Sequence, residues 1–247
     1  MFKVLNWFVL SLLFVGCSIS PQPIVENKIK DSVPNLGILR GFDICTSEAD
    51  SYPGVVSLHT VSGFVGSGVL ISPYYILTAG HCIDGDALDH VKLLDGRSFC
   101  ISETILHPVY GIGDIVLNDI GIIVLNDPIL DVETHTLCDS ILKISKYDKI
   151  DISGWGAKIK KQSQSGKFFF YGVLHREENQ FKVLPINGTV WFGDSGGGVY
   201  SRINGQIQLI GIVSNFSATS TDGKIQFIEN SLIRVDYYLN WILSKTK

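Results

Sequence analysis

From Tyr52 onward the apolar residues of this chain fall into short β-branched runs separated by turn residues, and that punctuation restricts the fold more than any other feature of the sequence. The runs cover 55–58, 68–71, 91–94 before Asp95-Gly96, 120–125 before Asn126-Asp127-Pro128, and 206–213. Strands so spaced predict a sandwich or barrel. One stretch differs: over 232–243 the apolar residues stand at 232, 233, 235, 238, 239, 242 and 243, a helical period that predicts an amphipathic C-terminal helix. No internal repeat is visible.

Composition serves to exclude classes. With 247 residues the chain can build one large or two small domains with a sizeable core. Hydrophobic residues at 45% against 18% charged, with 25 glycines, fit a turn-rich globular domain and exclude a disordered one. The net charge of -4, from 24 acidic and 20 basic residues without a basic run, leaves no footprint for nucleic acid.

Lys3 precedes an apolar run over 4–15, shorter than the roughly 20 helical residues that span a bilayer and suited to a secretory signal. Residues 1–16 are therefore read as a signal peptide. The run ends in Leu12-Leu13-Phe14-Val15-Gly16-Cys17-Ser18, which resembles the bacterial lipobox, where cleavage precedes a cysteine that becomes diacylated; Phe14 stands where Leu is usual. The expectation is an exported bacterial protein: a lipoprotein of the outer membrane or cell surface anchored through Cys17, or a secreted chain if the signal is an ordinary one. Residues 17–37 are polar, carry Pro21, Pro23 and Pro34, and read as linker or propeptide. The remaining cysteines are Cys45, Cys82, Cys100 and Cys138. An even number in an exported chain favours two disulfides over free thiols or a metal site, with three pairings possible.

Three strings offer chemistry. Leu77-Thr78-Ala79-Gly80-His81-Cys82 supplies an imidazole after an apolar strand, Asn118-Asp119 a carboxylate at the edge of another, and Gly193-Asp194-Ser195-Gly196-Gly197-Gly198 a hydroxyl among glycines that let the backbone approach a ligand. Each alone also fits a loop histidine, a turn-capping aspartate and a glycine-rich hairpin. Together, and with Pro53-Gly54-Val55-Val56-Ser57-Leu58, His107-Pro108-Val109-Tyr110, Ile152-Ser153-Gly154-Trp155-Gly156, Gly211-Ile212-Val213-Ser214 and Trp241-Ile242 in order, they resemble the trypsin/chymotrypsin family of serine endopeptidases from about Ile38 to the C-terminus.

The resemblance implies an all-β fold over 38–247: two six-stranded antiparallel β-barrels, an active-site cleft between them and a C-terminal α-helix. It implies a polypeptide substrate, a monomer, and neither cofactor nor metal. Ser195 would be the nucleophile, His81 the base and then the acid, Asp119 the group that fixes the His81 tautomer, and the N–H groups of Gly193 and Ser195 the oxyanion hole. Ser214, Asn215 and Phe216 would offer backbone to an extended substrate. His59, His90, His107, His135 and His175 have no such context and read as surface or core residues.

Three departures from the family pattern carry information. Six residues before the nucleophile, where trypsin-like members hold an Asp, stands Thr189; with Phe216 and Asn230 at the pocket walls, the primary pocket reads as uncharged and narrowed, against cleavage after Lys or Arg. Gly66 replaces the usual partner of Cys82, so the resemblance suggests Cys82 with Cys100 and Cys45 with Cys138. Ile38-Leu39-Arg40-Gly41 stands where family zymogens are cut so that the new ammonium can pair with Asp194, but Gly37 precedes the bond. A catalytically silent binding protein on the same fold would ordinarily lack a triad member, and this chain keeps all three. A structural envelope lipoprotein would leave the triad strings unexplained.

Overall fold

The computed structural model of the chain describes residues 42–43, 52–85, 87–111, 118–140, 144, 150–156, 168–176, 179–185, 190–221 and 224–247. Its first half is a closed antiparallel barrel. The strands are β2 (Val55–Thr60), β3 (Gly63–Ser72), β4 (Tyr75–Thr78), β5 (Leu88–Lys92), β6 (Ser98–Leu106) and β7 (Gly121–Leu125), joined in the ring order β2-β3-β4-β7-β6-β5. The short strand β1 (Phe42–Asp43) belongs to the other half.

That second half contains β8 (Ile150–Gly154), β9 (Phe168–Arg176), β10 (Gln180–Pro185), β11 (Gly198–Ile203), β12 (Gln206–Thr221) and β13 (Lys224–Arg234). The sheet runs β1-β9-β10-β13-β12-β11-β8, and the β8–β9 ladder closes β8 to β13 into a second ring, with β1 outside it on β9. The expected pair of barrels with one C-terminal helix is the architecture found.

Period-two alternation explains why the first-barrel runs are continuously apolar. Val56, Leu58, Leu70, Ile76 and Ile123 fill the first barrel, whereas their neighbours Val55, Val69, Leu77 and Ile122 face a second cluster with Trp155, Tyr200, Leu209, Ile212 and Ile233. Both faces are buried, so neither needs polar residues. A third cluster around Ile150, Ile152, Phe181, Val199, Ile210 and Leu232 fills the second barrel. Burying each such side chain contributes roughly 1.5–3 kcal/mol. Across the junction the Trp155 indole donates to Val55 O at 3.1 Å, and the Tyr52 ring stacks on Tyr200 at 4.1 Å.

The helix, α1 (Val235–Lys245), starts later than the sequence predicts. Residues 232–234 instead complete β13, with Leu232, Ile233 and Arg234 paired to Val213, Ile212 and Gly211. Two adjacent apolar residues fit either period, and here ladder pairing decides. The suggested Cys82–Cys100 bridge is not formed. Cys100 is an exposed free thiol on β6, while Cys82 turns into the first barrel's core, where its Sγ lies 3.6 Å from Ser195 O and a Cβ on Gly66 would meet it at 2.8 Å. The other suggested bridge involves Cys45, which lies outside the described residues; the Cys138 thiol donates to Ser140 O at 3.4 Å.

Candidate active site

Strand pairing in the first barrel brings His81 and Asp119 together. β4 runs into a 3-10 turn, Gly80–Cys82, that carries His81, and Asp119 lies just before β7. Because Thr78 pairs with Gly121, both residues leave the barrel at the same end. Asp119 is 1% exposed and accepts from the His81 backbone N–H at 2.8 Å through Oδ1 and from His81 Nδ1 at 2.8 Å through Oδ2. Burial alone would raise the Asp119 carboxyl, but the charge and hydrogen bonds of His81 and the Ser214 hydroxyl outweigh it and hold the group below the usual carboxylate range. An ionised Asp119 accepts a hydrogen bond from Nδ1–H and so leaves Nε2 as the basic atom of a neutral His81.

The second barrel contributes the hydroxyl. Ser214 joins the two halves: its Oγ donates to Asp119 Oδ2 at 2.6 Å and its carbonyl accepts from Ser195 Oγ at 3.2 Å. Ser195 sits in a loop whose turns require glycine. At φ +83 a Cβ on Gly196 would lie 2.0 Å from Ser67 O, and at φ +92 one on Gly193 would lie 2.5 Å from the Phe64 ring. The N–H groups of Asp194, Gly196 and Gly197 donate to Trp191 O, Val213 O and Asp194 O. Those of Gly193 and Ser195 have no acceptor among the described residues, leaving two donors on the Ser195 loop.

Ser67 of β3 holds this loop from across the junction, and sequence reasoning missed it. Its N–H donates to Ser195 O and its hydroxyl to Gly193 O, both at 2.8 Å, while that hydroxyl accepts from Trp155 N at 2.8 Å. The one sequence signal was a serine between two glycines in an otherwise apolar strand. Asp194 is fully buried, with Oδ1 accepting from Gly156 N at 2.8 Å and Oδ2 from Trp191 N at 2.9 Å. Burial pushes its carboxyl up to about 7, against the opposing pull of those two N–H groups.

Phe216 and Asn230 are cross-strand partners on β12 and β13 and so share a face of the sheet. Asn230 is buried, and its Oδ1 accepts from Val190 N at 3.3 Å, linking β13 to the segment that leads to Ser195. Phe216 stacks on Trp191 with ring centroids 5.3 Å apart, and the exposed Phe192 meets both edge-on. Phe192 was not among the residues the sequence placed at the pocket. Asn215 is exposed, on a stretch of β12 beyond its ladder with β11. Thr189, Ile38 and Cys17 lie outside the described residues.

A closed antiparallel barrel joined to a second six-strand ring, with the His81 imidazole and the Ser214 hydroxyl both bonded to the buried Asp119 carboxylate at the junction, defines the class of two-barrel β proteins. The sequence model of the Trypsin family matches residues 43–242, and this chain belongs to that family. The solved structure of neuropsin, a serine protease expressed in the limbic system of mouse brain, is similar at 21% identity with a TM-score of 0.66, covering 80% of this chain and 96% of that one. At that identity the likeness is one of fold.

Proposed function

We propose that this protein is a serine endopeptidase, and the observation that carries the reading is Ser214, which bonds the carboxylate of one barrel and the hydroxyl of the other. In this reading Ser195 Oγ attacks the scissile carbonyl as its proton passes to His81 Nε2. The resulting oxyanion accepts from Gly193 N and Ser195 N, each donor contributing roughly 3–4 kcal/mol in the transition state. Asp119 stabilises the imidazolium, which then gives its proton to the leaving amine. Water, activated by the same imidazole, releases the acyl group and restores the Ser195 proton. The β12 edge at Ser214, Asn215 and Phe216 aligns the substrate by strand addition.

The primary pocket in this reading takes small, uncharged side chains. The Trp191–Phe216 stack and the Asn230–Val190 bond join the two walls that a long side chain would have to separate. A buried Lys or Arg cation would cost several kcal/mol without a carboxylate, and Thr189 offers only a hydroxyl. Exposing the purified chain to a peptide library, with Ser195→Ala as control, tests both parts. The expected result is Ser195-dependent cleavage after small residues and no inhibition by benzamidine. Cleavage after Lys or Arg would overturn the specificity, and cleavage that survives Ser195→Ala would overturn the mechanism.

The proposal extends to the leader. Residues 1–16 direct export, Cys17 carries lipid in a bacterial envelope, and 17–37 form a linker ending at the activation bond before Ile38. The freed Ile38 ammonium then pairs with Asp194, whose two neutral N–H partners support a buried site suited to a cation. Cleavage there would separate the catalytic domain from its anchor.

A further inference from the structure

We propose that Tyr238, on the C-terminal helix α1, is a positioning residue for Asp119, which makes the helix a working part of the site; the proposal rests on the endopeptidase reading above. Its basis is the turn in which Asp119 sits. Ile120 N donates to Asn118 O at 2.7 Å, closing a tight three-residue turn with Asp119 at its apex. Asn118 enters that turn at φ +55, in the left-handed region that Asn tolerates better than most side chains.

Two side-chain bonds hold Asn118 there. Its Nδ2 donates to Val109 O at 3.0 Å, and its Oδ1 accepts from Tyr238 Oη at 2.8 Å. The phenol is itself oriented: Asn179 Nδ2 donates to it at 3.1 Å, so its one proton is directed to Asn118. Its buried ring packs edge-on against His107 with centroids 5.2 Å apart, and His107 N donates to Ile120 O at 3.2 Å on the other side of the apex. Thus one residue of α1 reaches both flanks of the aspartate turn, by its hydroxyl before Asp119 and through His107 after it.

The consequence follows from what Asp119 must satisfy. Its two oxygens accept from the His81 backbone, His81 Nδ1 and the Ser214 hydroxyl at 2.6–2.8 Å, and a tilt of the turn cannot preserve all three bonds. Loss of the Tyr238 hydroxyl frees Asn118 Oδ1, loosens the apex and weakens the Asp119–His81 pair, while the substrate groove on β12 is untouched. Turnover should therefore fall and KM should not. Weaker stabilisation of the imidazolium should also move the acid limb of the rate profile to lower pH.

The test compares wild type with Tyr238→Phe, which keeps the ring, and with Asn118→Gly, which keeps the backbone conformation and removes the anchor. Measured are kcat and KM on one peptide and the pH dependence of Ser195 labelling by a fluorophosphonate. The expectation is a roughly ten- to hundredfold loss of kcat in each variant, KM within about twofold, an acid limb shifted to lower pH, and no additivity in the double variant. Wild-type turnover and pH profile in a folded Tyr238→Phe or Asn118→Gly chain would overturn the positioning role and leave the endopeptidase reading intact. A wild-type chain that Ser195-directed probes do not label would overturn both.

Discussion

Each barrel buries one aspartate at the junction, and the two are in opposite electrostatic condition. Asp119 of the first barrel has a titratable partner in His81 and a hydroxyl from Ser214, and its carboxyl is held below the usual range although burial opposes this. Asp194 of the second barrel is as deeply buried but meets only the neutral N–H groups of Trp191 and Gly156 among the described residues, and its carboxyl rises to about 7. The first is complete as the chain folds. The second is a buried acid that a cation would relieve, which is what the proposed Ile38 ammonium would supply.

The largest expected effect lies at the complete site. Asp119→Asn keeps the shape but offers an amide where His81 Nδ1–H needs an acceptor, so the ring adopts the wrong tautomer and kcat falls about 10⁴-fold. Steady-state turnover on a small-residue peptide checks this, and a loss of less than tenfold would break the contrast by making Asp119 dispensable.

The next effect separates the aspartates by pH. In the uncut chain Asp194 keeps its proton up to about 7, whereas in the unfolded chain it ionises near 3.8, so between those values the folded state binds more protons. Stability contributed at acid pH is then lost as pH rises from about 4 to 7, by roughly 4 kcal/mol in all. Asp119, with its lowered pKa, acts in the other direction: its contribution is present above the unfolded value and disappears on acidification. Denaturant melts between pH 4.5 and 7.5 should show the decline in the uncut chain and its disappearance in Asp194→Asn. Cutting before Ile38 should abolish the decline, because the ammonium then holds Asp194 ionised.

The smallest effect concerns the bond across the junction. Ser67→Ala leaves Gly193 O and Trp155 N without their shared hydroxyl, a loss of roughly 1–3 kcal/mol, and it should lower kcat by disturbing the oxyanion donors. Ser57→Ala, at a serine equally buried in the same barrel and bonded to His59 and Lys92 O, should leave kcat unchanged. Equal behaviour of the two variants would show that the first barrel does not position the nucleophile loop.

What the sequence revealed depended on how local the cause was. Runs such as 55–58 and 120–125 announced strands because both faces are buried, whereas β6 was silent because its side chains are mostly exposed or half-exposed and carry no apolar period. The glycines at 193 and 196 were readable because the left-handed backbone and close approach there require them. Ser67 and the Asn118–Tyr238 pair were not, since their roles are set by partners far along the chain, 126 and 120 residues away for Ser67–Gly193 and Tyr238–Asn118. The Cys82–Cys100 pairing that the resemblance suggested is not formed, because Cys82 is buried while Cys100 is exposed. The start of α1 was misplaced because Leu232 and Ile233 suit a strand and a helix equally until Val213 and Ile212 pair with them.

The central claim is that Ser195 is made nucleophilic by His81 at the junction of the barrels. Labelling the folded chain with a fluorophosphonate and locating the adduct by mass spectrometry tests it most directly. The account predicts one adduct, on Ser195, that is lost in His81→Ala and forms more slowly in Asp119→Asn. An adduct on another residue, or equal labelling of wild type and His81→Ala, would contradict it.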